Sequence, residues 1–117
     1  MARILIVDDS ATDRAMLREC LEKEGHQVSV ANDGRAAFGA VESDRPDLVL
    51  LDVVMPGDNG FKVCRKLKKT VDGLRVVMVT SKDGESDKFW GMKQGADAYV
   101  TKPVQPSDLV STVQQLI

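Results

Sequence analysis

Five polar side chains of three chemical kinds follow short apolar runs in this chain. Asp8 and Asp9 follow Ile4–Val7, Asp52 follows Leu48–Leu51, Thr80 follows Val76–Val79, and Lys102 stands two residues past the run that ends at Val100. Three ionised carboxylates brought together repel one another, by about 1 kcal/mol per pair at ~4 Å in water and about 4 at an effective dielectric of 20. Such a cluster needs a counter-charge. Its donors are hard oxygens, which suit Mg²⁺, with Mn²⁺ as a substitute, better than Ca²⁺, which takes more ligands. Asp8, Asp9 and Asp52 bring a charge of -3, Lys102 reduces it to -2, and one divalent cation brings it to zero. A neutralised pocket of this kind can admit a phosphoryl group. A metal ion and a lysine both offset charge on phosphoryl oxygens, and a carboxylate can act as the covalent nucleophile.

Among the three acids, Asp52 is single and follows the most apolar run, so it reads as the nucleophile. The adjacent Asp8 and Asp9 read as a metal platform. The competing reading is that one or more of them merely caps a helix, which for Asp9 is reasonable on its own. The five together satisfy the roles of a phosphoryl site better than they do a set of caps.

The elements that must position them alternate regularly. Arg3–Val7, Gln27–Ala31, Asp47–Leu51, Arg75–Val79 and Asp97–Val100 read as strands. Helical spacing of apolar residues predicts helices over Thr12–Glu24, with Ser10 as N-cap, and over Arg35–Ser43, with Ala36, Ala37, Ala40 and Val41 inward. Further helices are predicted over Phe61–Lys69, Glu85–Gln94 and Ser107–Leu116, and Met55–Gly60 reads as a loop. Strands apolar along their length, each followed by a helix, predict a parallel sheet covered on both faces. Right-handed crossovers make this a doubly wound α/β domain spanning residues 1–117. In such a sheet the functional crevice lies beyond the carboxyl ends of the strands, where all five polar residues fall.

Composition narrows the function classes. The 117 residues are 43% hydrophobic and 29% charged with a net charge of -2, so no basic footprint for direct nucleic-acid binding is expected. The cluster Arg65-Lys66-Leu67-Lys68-Lys69 reads as a solvated helix face. No apolar run approaches the ~20 residues of a membrane span, and the start Met1-Ala2-Arg3-Ile4 lacks signal-peptide features. A cytoplasmic protein is the expectation. Cys20 and Cys64 show no metal or disulfide spacing and read as buried free thiols.

Four motifs in order resemble the receiver domain of bacterial two-component response regulators, the CheY-like superfamily. They are Ile4-Leu5-Ile6-Val7-Asp8-Asp9-Ser10, Leu51-Asp52-Val53-Val54-Met55-Pro56 with Gly60, Val79-Thr80-Ser81, and Gly95-Ala96-Asp97-Ala98-Tyr99-Val100-Thr101-Lys102-Pro103. The resemblance covers essentially the whole chain. It implies a flavodoxin-like (βα)5 fold with strand order 2-1-3-4-5. It also implies that Asp52 accepts a phosphoryl group from a sensor histidine kinase or phosphotransfer domain. Asp9 and Asp52 and the Val54 carbonyl would hold Mg²⁺, with Asp8 acting largely through water. Lys102 would pair with the phosphoryl group, Thr80 would move to hydrogen-bond it, and Tyr99 would swing inward. That would change the surface of the fourth helix, fifth strand and fifth helix, where a downstream protein target binds. The Lys102-Pro103 bond would be cis.

Two further readings follow. Val54 and Lys82, each two residues past a site residue, would flank the line of attack on the acyl phosphate. An apolar Val54 would position water poorly and prolong the phosphorylated state. The segment Asp87–Ala96 resembles single-domain regulators of type IV pilus twitching and phototaxis. In it, Trp90 either shields a helix edge, with Phe89 filling core, or anchors a partner. With no linker or basic helix-turn-helix after the last helix, a stand-alone regulator is the expectation. The main rival is a phosphatase or phosphotransferase using an aspartyl intermediate. That chemistry wants a second acid two residues after the nucleophile, where this chain has Val54, so turnover of a substrate is not expected. Nucleotide binding would want a glycine-rich phosphate loop, which is missing. A scaffold indifferent to phosphate remains open at this level.

Overall fold

The computed structural model describes residues 1–117. In chain order the elements are β1 (Arg3–Val7), α1 (Ala11–Lys23), β2 (Gln27–Ala31), α2 (Gly34–Asp44), β3 (Leu48–Leu51), β4 (Val54–Met55), β5 (Asp58–Asn59), α3 (Gly60–Thr70), β6 (Arg75–Thr80), α4 (Glu85–Lys93), β7 (Ala98–Thr101) and α5 (Pro106–Leu116). Five parallel strands form one sheet in the order β2-β1-β3-β6-β7, and β4-β5 is a separate antiparallel ribbon. Counting only the five strands of the large sheet, this is the order 2-1-3-4-5.

Strand side chains alternate between the two faces, so parity decides which helices they meet. Leu5, Val7, Val49, Leu51, Val76 and Met78 pack with Ala37, Val41, Val63, Cys64 and Leu67 of α2 and α3. Ile4, Ile6, Leu48, Leu50, Val77 and Val79 pack with Leu17 and Leu21 of α1 and Leu109 and Val113 of α5. All four residues of the central strand β3 are buried, as its unbroken apolar run predicts. The edge strands β2 and β7 are only partly covered, because each has one neighbouring strand instead of two.

Side chains fix the helix starts. Ser10 Oγ accepts from the Asp13 N–H at 3.2 Å, Asp33 from Ala36 at 2.8 Å, and Asn59 from Phe61 at 2.9 Å. α5 begins with Pro106 at a position whose N–H has no intrahelical partner. α4 has Gly84 before it and no side-chain cap.

Several expectations shift. Asp47 precedes β3 rather than opening it, although its N–H donates to the Arg3 carbonyl at 2.8 Å and its carboxylate accepts from the Arg3 N–H at 2.9 Å. Asp97 likewise precedes β7, with its carboxylate on the Val76 N–H at 2.8 Å. β6 runs on to Thr80, which pairs with Thr101. The segment Met55–Gly60 is not a plain loop, since Val54 pairs with Asn59 and Met55 with Asp58 about the Pro56-Gly57 corner. Ala36 is exposed rather than inward, and Phe38 packs partly buried against the core. Cys64 is buried but Cys20 is partly exposed at the α1–α5 seam, its thiol against the Pro106 carbonyl. No helix is long and apolar enough to cross a membrane.

Candidate functional site

Asp8 and Asp52 stand one residue past the ends of the adjacent strands β1 and β3. The ladder continues into both, with the Asp8 N–H donating to the Ala31 carbonyl at 3.1 Å and the Asp52 N–H to the Val7 carbonyl at 3.0 Å. Sheet geometry therefore delivers the two carboxylates side by side. Each accepts from the backbone N–H two residues on and from Lys102 Nζ. Asp8 accepts from the Ser10 N–H at 2.9 Å and from Lys102 Nζ at 2.7 Å. Asp52 accepts from the Val54 N–H at 3.0 Å and from Lys102 Nζ at 3.0 Å. Asp9 is exposed at the rim, and each of the three acids offers an oxygen within 4.8 Å of the others. Oxygen donors this close, two of them buried, fit a hard divalent cation. The Arg14 guanidinium donates to the Asp8 backbone carbonyl at 2.7 Å and steadies this corner from α1.

The electrostatics match the crowding. Burial pushes the Asp8 carboxyl above the ordinary carboxylate range and outweighs its bonds from Lys102 and Ser10, with the nearby Asp52 charge adding to the rise. For Lys102 the balance is reversed. Burial disfavours its charge, but hydrogen bonds to Asp13, Asp8 and Asp52 outweigh burial and hold the ammonium well above the ordinary lysine range. Lys102 is therefore a permanent cation in the pocket. Its backbone N–H donates to the Thr80 carbonyl at 2.8 Å, which ties the ammonium's strand to the buried threonine at the end of β6. The Lys102-Pro103 peptide bond is cis.

The β4-β5 ribbon forms one wall. Gly60 is needed at its end, because a Cβ there would lie 2.4 Å from the Asp52 carbonyl oxygen and 2.5 Å from Val53 Cα. Asp58 ties the ribbon to α2 by accepting from the Gly34 N–H at 2.8 Å. The Val54 side chain, two residues past Asp52, is exposed. Grooves of about 570 Å³ between α1 and α5 and about 500 Å³ between α2 and α3 lie elsewhere on the molecule, and none of the three carboxylates lines either.

Tyr99 lies at the other flank, with its hydroxyl donating to the Lys82 carbonyl at 2.6 Å and its ring against Gly91 of α4. Burial, then the charges of Asp87, Asp52 and Asp83, push the phenol up to about 12. Phe89 does not fill core. It is 63% exposed, and Trp90 beside it is 54% exposed. Lys82 is exposed at the rim.

The structure thus gathers Asp8, Asp9, Asp52 and Lys102 into one pocket, with Thr80 bound to it through the backbone and Trp90 outside it. Two residues escaped the sequence reading. Asp13 accepts a third Lys102 bond at 2.8 Å, and Asp58 holds the ribbon. Asp13 stands four residues after Asp9 on the inner side of the first turn of α1. Helical spacing could have pointed to it, but its polar type at a first-turn position reads equally as a dipole partner.

A family model described as the response regulator receiver domain matches residues 4–114. The chain is 47% identical to Protein PilH of Pseudomonas aeruginosa over 119 residues, covering 100% of this chain and 98% of that one. It is 42% identical to Response regulator MprA of Mycolicibacterium vanbaalenii, but spans only 50% of that protein's length. Among solved structures, the chemotaxis protein CheY4 of Vibrio cholerae superposes with a TM-score of 0.93 at 31% identity, covering 100% and 99% of the two chains. The BeF3-activated receiver domain of Klebsiella pneumoniae RstA superposes with a TM-score of 0.92 at 29% identity, covering 97% of each. With a parallel sheet that sets two buried aspartates and a lysine at its carboxyl edge, this chain belongs to the response regulator receiver domain family.

Proposed function

We propose that the protein is a phosphorylation switch in which Asp52 takes a phosphoryl group from a phosphohistidine on a sensor kinase or phosphotransfer domain. An Asp52 carboxylate oxygen attacks phosphorus, the P–N bond breaks, and the imidazole leaves with the bond's electron pair. The observation that carries this reading is the convergence of Asp8, Asp9 and Asp52 on one another, with Lys102 Nζ at 2.7 Å from Asp8 and 3.0 Å from Asp52. A Mg²⁺ or Mn²⁺ ion held by Asp9, Asp52 and the Val54 carbonyl, with Asp8 through water, would supply charge neutralisation on the phosphoryl oxygens. Lys102 would keep its cation against the same oxygens, and Thr80 would donate a hydroxyl bond to them.

Phosphorylation takes Asp52 from about -1 to about -2 and adds acceptor oxygens. Thr80 would gain a bond to the phosphoryl group and Lys102 would exchange one of its carboxylate partners for it only in that state, so their contacts bias an equilibrium between two arrangements of the chain. Inward rotation of Tyr99, away from its bond to Lys82, would reshape the α4–β7–α5 face and change affinity for a protein target by about 1–3 kcal/mol. Water resets the switch by autodephosphorylation. The protein catalyses nothing but its own phosphorylation and release, and it works in the cytoplasm. Its full-length likeness to PilH, with the Asp87–Ala96 segment, supports a place in type IV pilus twitching, chemotaxis or phototaxis signalling.

The test uses acetyl phosphate or beryllofluoride with and without Mg²⁺, read by intact mass and by Trp90 fluorescence. A Mg²⁺-dependent mass gain and fluorescence change, both lost in Asp52→Ala, are expected. A response that is independent of Mg²⁺ or survives in Asp52→Ala sinks the reading.

A further inference from the structure

An ammonium has three N–H donors. Lys102 Nζ spends one each on Asp8 at 2.7 Å, Asp13 at 2.8 Å and Asp52 at 3.0 Å. None is left for a phosphoryl oxygen unless one of these carboxylates lets go. Asp8 and Asp52 are nearly closed to solvent, with side chains 2% and 7% exposed, whereas that of Asp13 is 33% exposed. Water can replace the lysine at Asp13 with the least loss, so the Asp13 contact is the one that yields. Asp13 also changes the charge of the pocket. Counting Lys102, the Arg14 guanidinium on the Asp8 carbonyl and one divalent cation, four carboxylates leave the pocket neutral where three would leave it at +1, so Asp13 makes it one charge more negative.

We propose that Asp13 is a fourth carboxylate of the pocket, which competes with the phosphoryl group for Lys102 and tightens the binding of the divalent cation. The proposal rests on the reading of Asp52 as phosphoacceptor. Its two consequences have opposite signs. The extra negative charge attracts the cation and repels an incoming phosphoryl donor, and the bond to Lys102 must be given up before the new acyl phosphate gains its lysine partner. In the step itself an Asp52 oxygen bonds to the phosphorus of acetyl phosphate, the bond from phosphorus to the acetate oxygen breaks, and acetate leaves with the electron pair.

The experiment compares wild type with Asp13→Asn, Asp13→Ala and Asp13→Glu. Mg²⁺ affinity is measured by calorimetry, and phosphorylation by acetyl phosphate at saturating Mg²⁺ is followed by intact mass. Both uncharged variants should raise the Mg²⁺ Kd about three- to tenfold, the size expected for one partly screened charge. They should speed phosphorylation by a similar factor, while Asp13→Glu stays within about twofold of wild type on both counts, since it restores the charge. An unchanged Kd overturns the proposal. A rate that is unchanged or slower at saturating Mg²⁺ also overturns it, and a slower one would make Asp13 a support that positions Lys102. Thermal melts check that the variants fold, and the second uncharged variant guards against a defect peculiar to one. If wild type itself takes up no phosphoryl group, the reading of Asp52 fails and the competition falls with it, whereas the Mg²⁺ affinities still report on Asp13 alone.

Discussion

Helices α3 and α4 come after the neighbouring interior strands β3 and β6, yet the molecule holds them in different ways. α3 buries Gly60, Val63, Cys64 and Leu67 and presents an outer face of Lys62, Arg65, Lys66 and Lys69. Its start is pressed against the Asp52 backbone, and its Lys68 bonds to the Leu74 carbonyl at 2.8 Å and to Asp97 at 2.9 Å. α4 buries only Gly91, has no side-chain cap, and turns Phe89, Trp90 and Met92 to solvent at 63%, 54% and 47% exposure. The polarity of the two is inverted, with α3 greasy inside and α4 greasy outside. A helix held by few buried contacts can shift at low cost. Large exposed apolar side chains grouped on one helix mark a surface built to be covered. If the proposed switch operates, α3 would be the fixed wall of the site and α4 the part free to report on it.

Substitutions can break or sharpen that contrast. The largest effect is expected from Gly60→Ala. Its Cβ would collide with the Asp52 carbonyl and Val53 Cα, both backbone, which cannot step aside. A loss on the order of 3 kcal/mol or more in a urea melt is expected, together with lost Mg²⁺ binding; a near-neutral melt would show that the α3 start is not rigid. Next is Asp97→Asn. Burial works against the Asp97 charge, but bonds from the Val76 N–H, Lys68 and Arg75 outweigh it and hold the carboxyl below its ordinary range. A depressed folded value means that the unfolded chain binds the proton more readily, so this stabilisation is whole above the ordinary carboxylate range and fades as pH falls through the folded value. Asp97→Asn should cost about 1–3 kcal/mol near neutral pH and flatten the acid limb of a stability–pH curve; parallel wild-type and variant curves would refute the role.

Effects in α4 should be smaller. Gly91→Ala places a Cβ 3.0 Å from the Tyr99 ring, a side chain that can yield. The gain in helix propensity of about 1 kcal/mol should offset the crowding, leaving stability within ~1 kcal/mol. The Tyr99 phenol, which burial holds high, should then titrate lower, as the ring is pushed from its half-buried position toward solvent. A loss as large as that of Gly60→Ala would end the distinction between the two helices. The smallest effect on folding belongs to Trp90→Ala, within about 0.5 kcal/mol as for other exposed sites. Phosphorylation should be normal in this variant and binding of the protein target lost; intact binding would return Trp90 to a mere edge cover.

Much of the site was legible in advance because it rests on topology. Once five strand-helix repeats are read, the residues after each strand must meet at one edge, and Asp8, Asp52 and Lys102 do meet there. Elements built on strong periodicity, such as β3 and the inner face of α3, were legible for the same reason. What escaped depends on side chains that act across the fold. The carboxylates of Asp47 and Asp97 bond to the backbone of the neighbouring strand, and Asp58 ties the ribbon at Val54–Asn59 to the Gly34 N–H. Local pattern carries no sign of a partner 24 residues away in sequence.

The sequence by itself determined the alternation of strands and helices, the parity that sends side chains to one face or the other, and the identity of the charged groups at the strand ends. These are local or periodic properties, and each is written in a few neighbouring residues. Only the tertiary structure decided how the charge of Lys102 is shared, that Asp13 is among its partners, and that Phe89 stands in solvent rather than in the core. Those outcomes depend on the distance and tilt of a helix against a sheet, and electrostatic balance and burial both change over a few ångströms that no spacing of residues encodes.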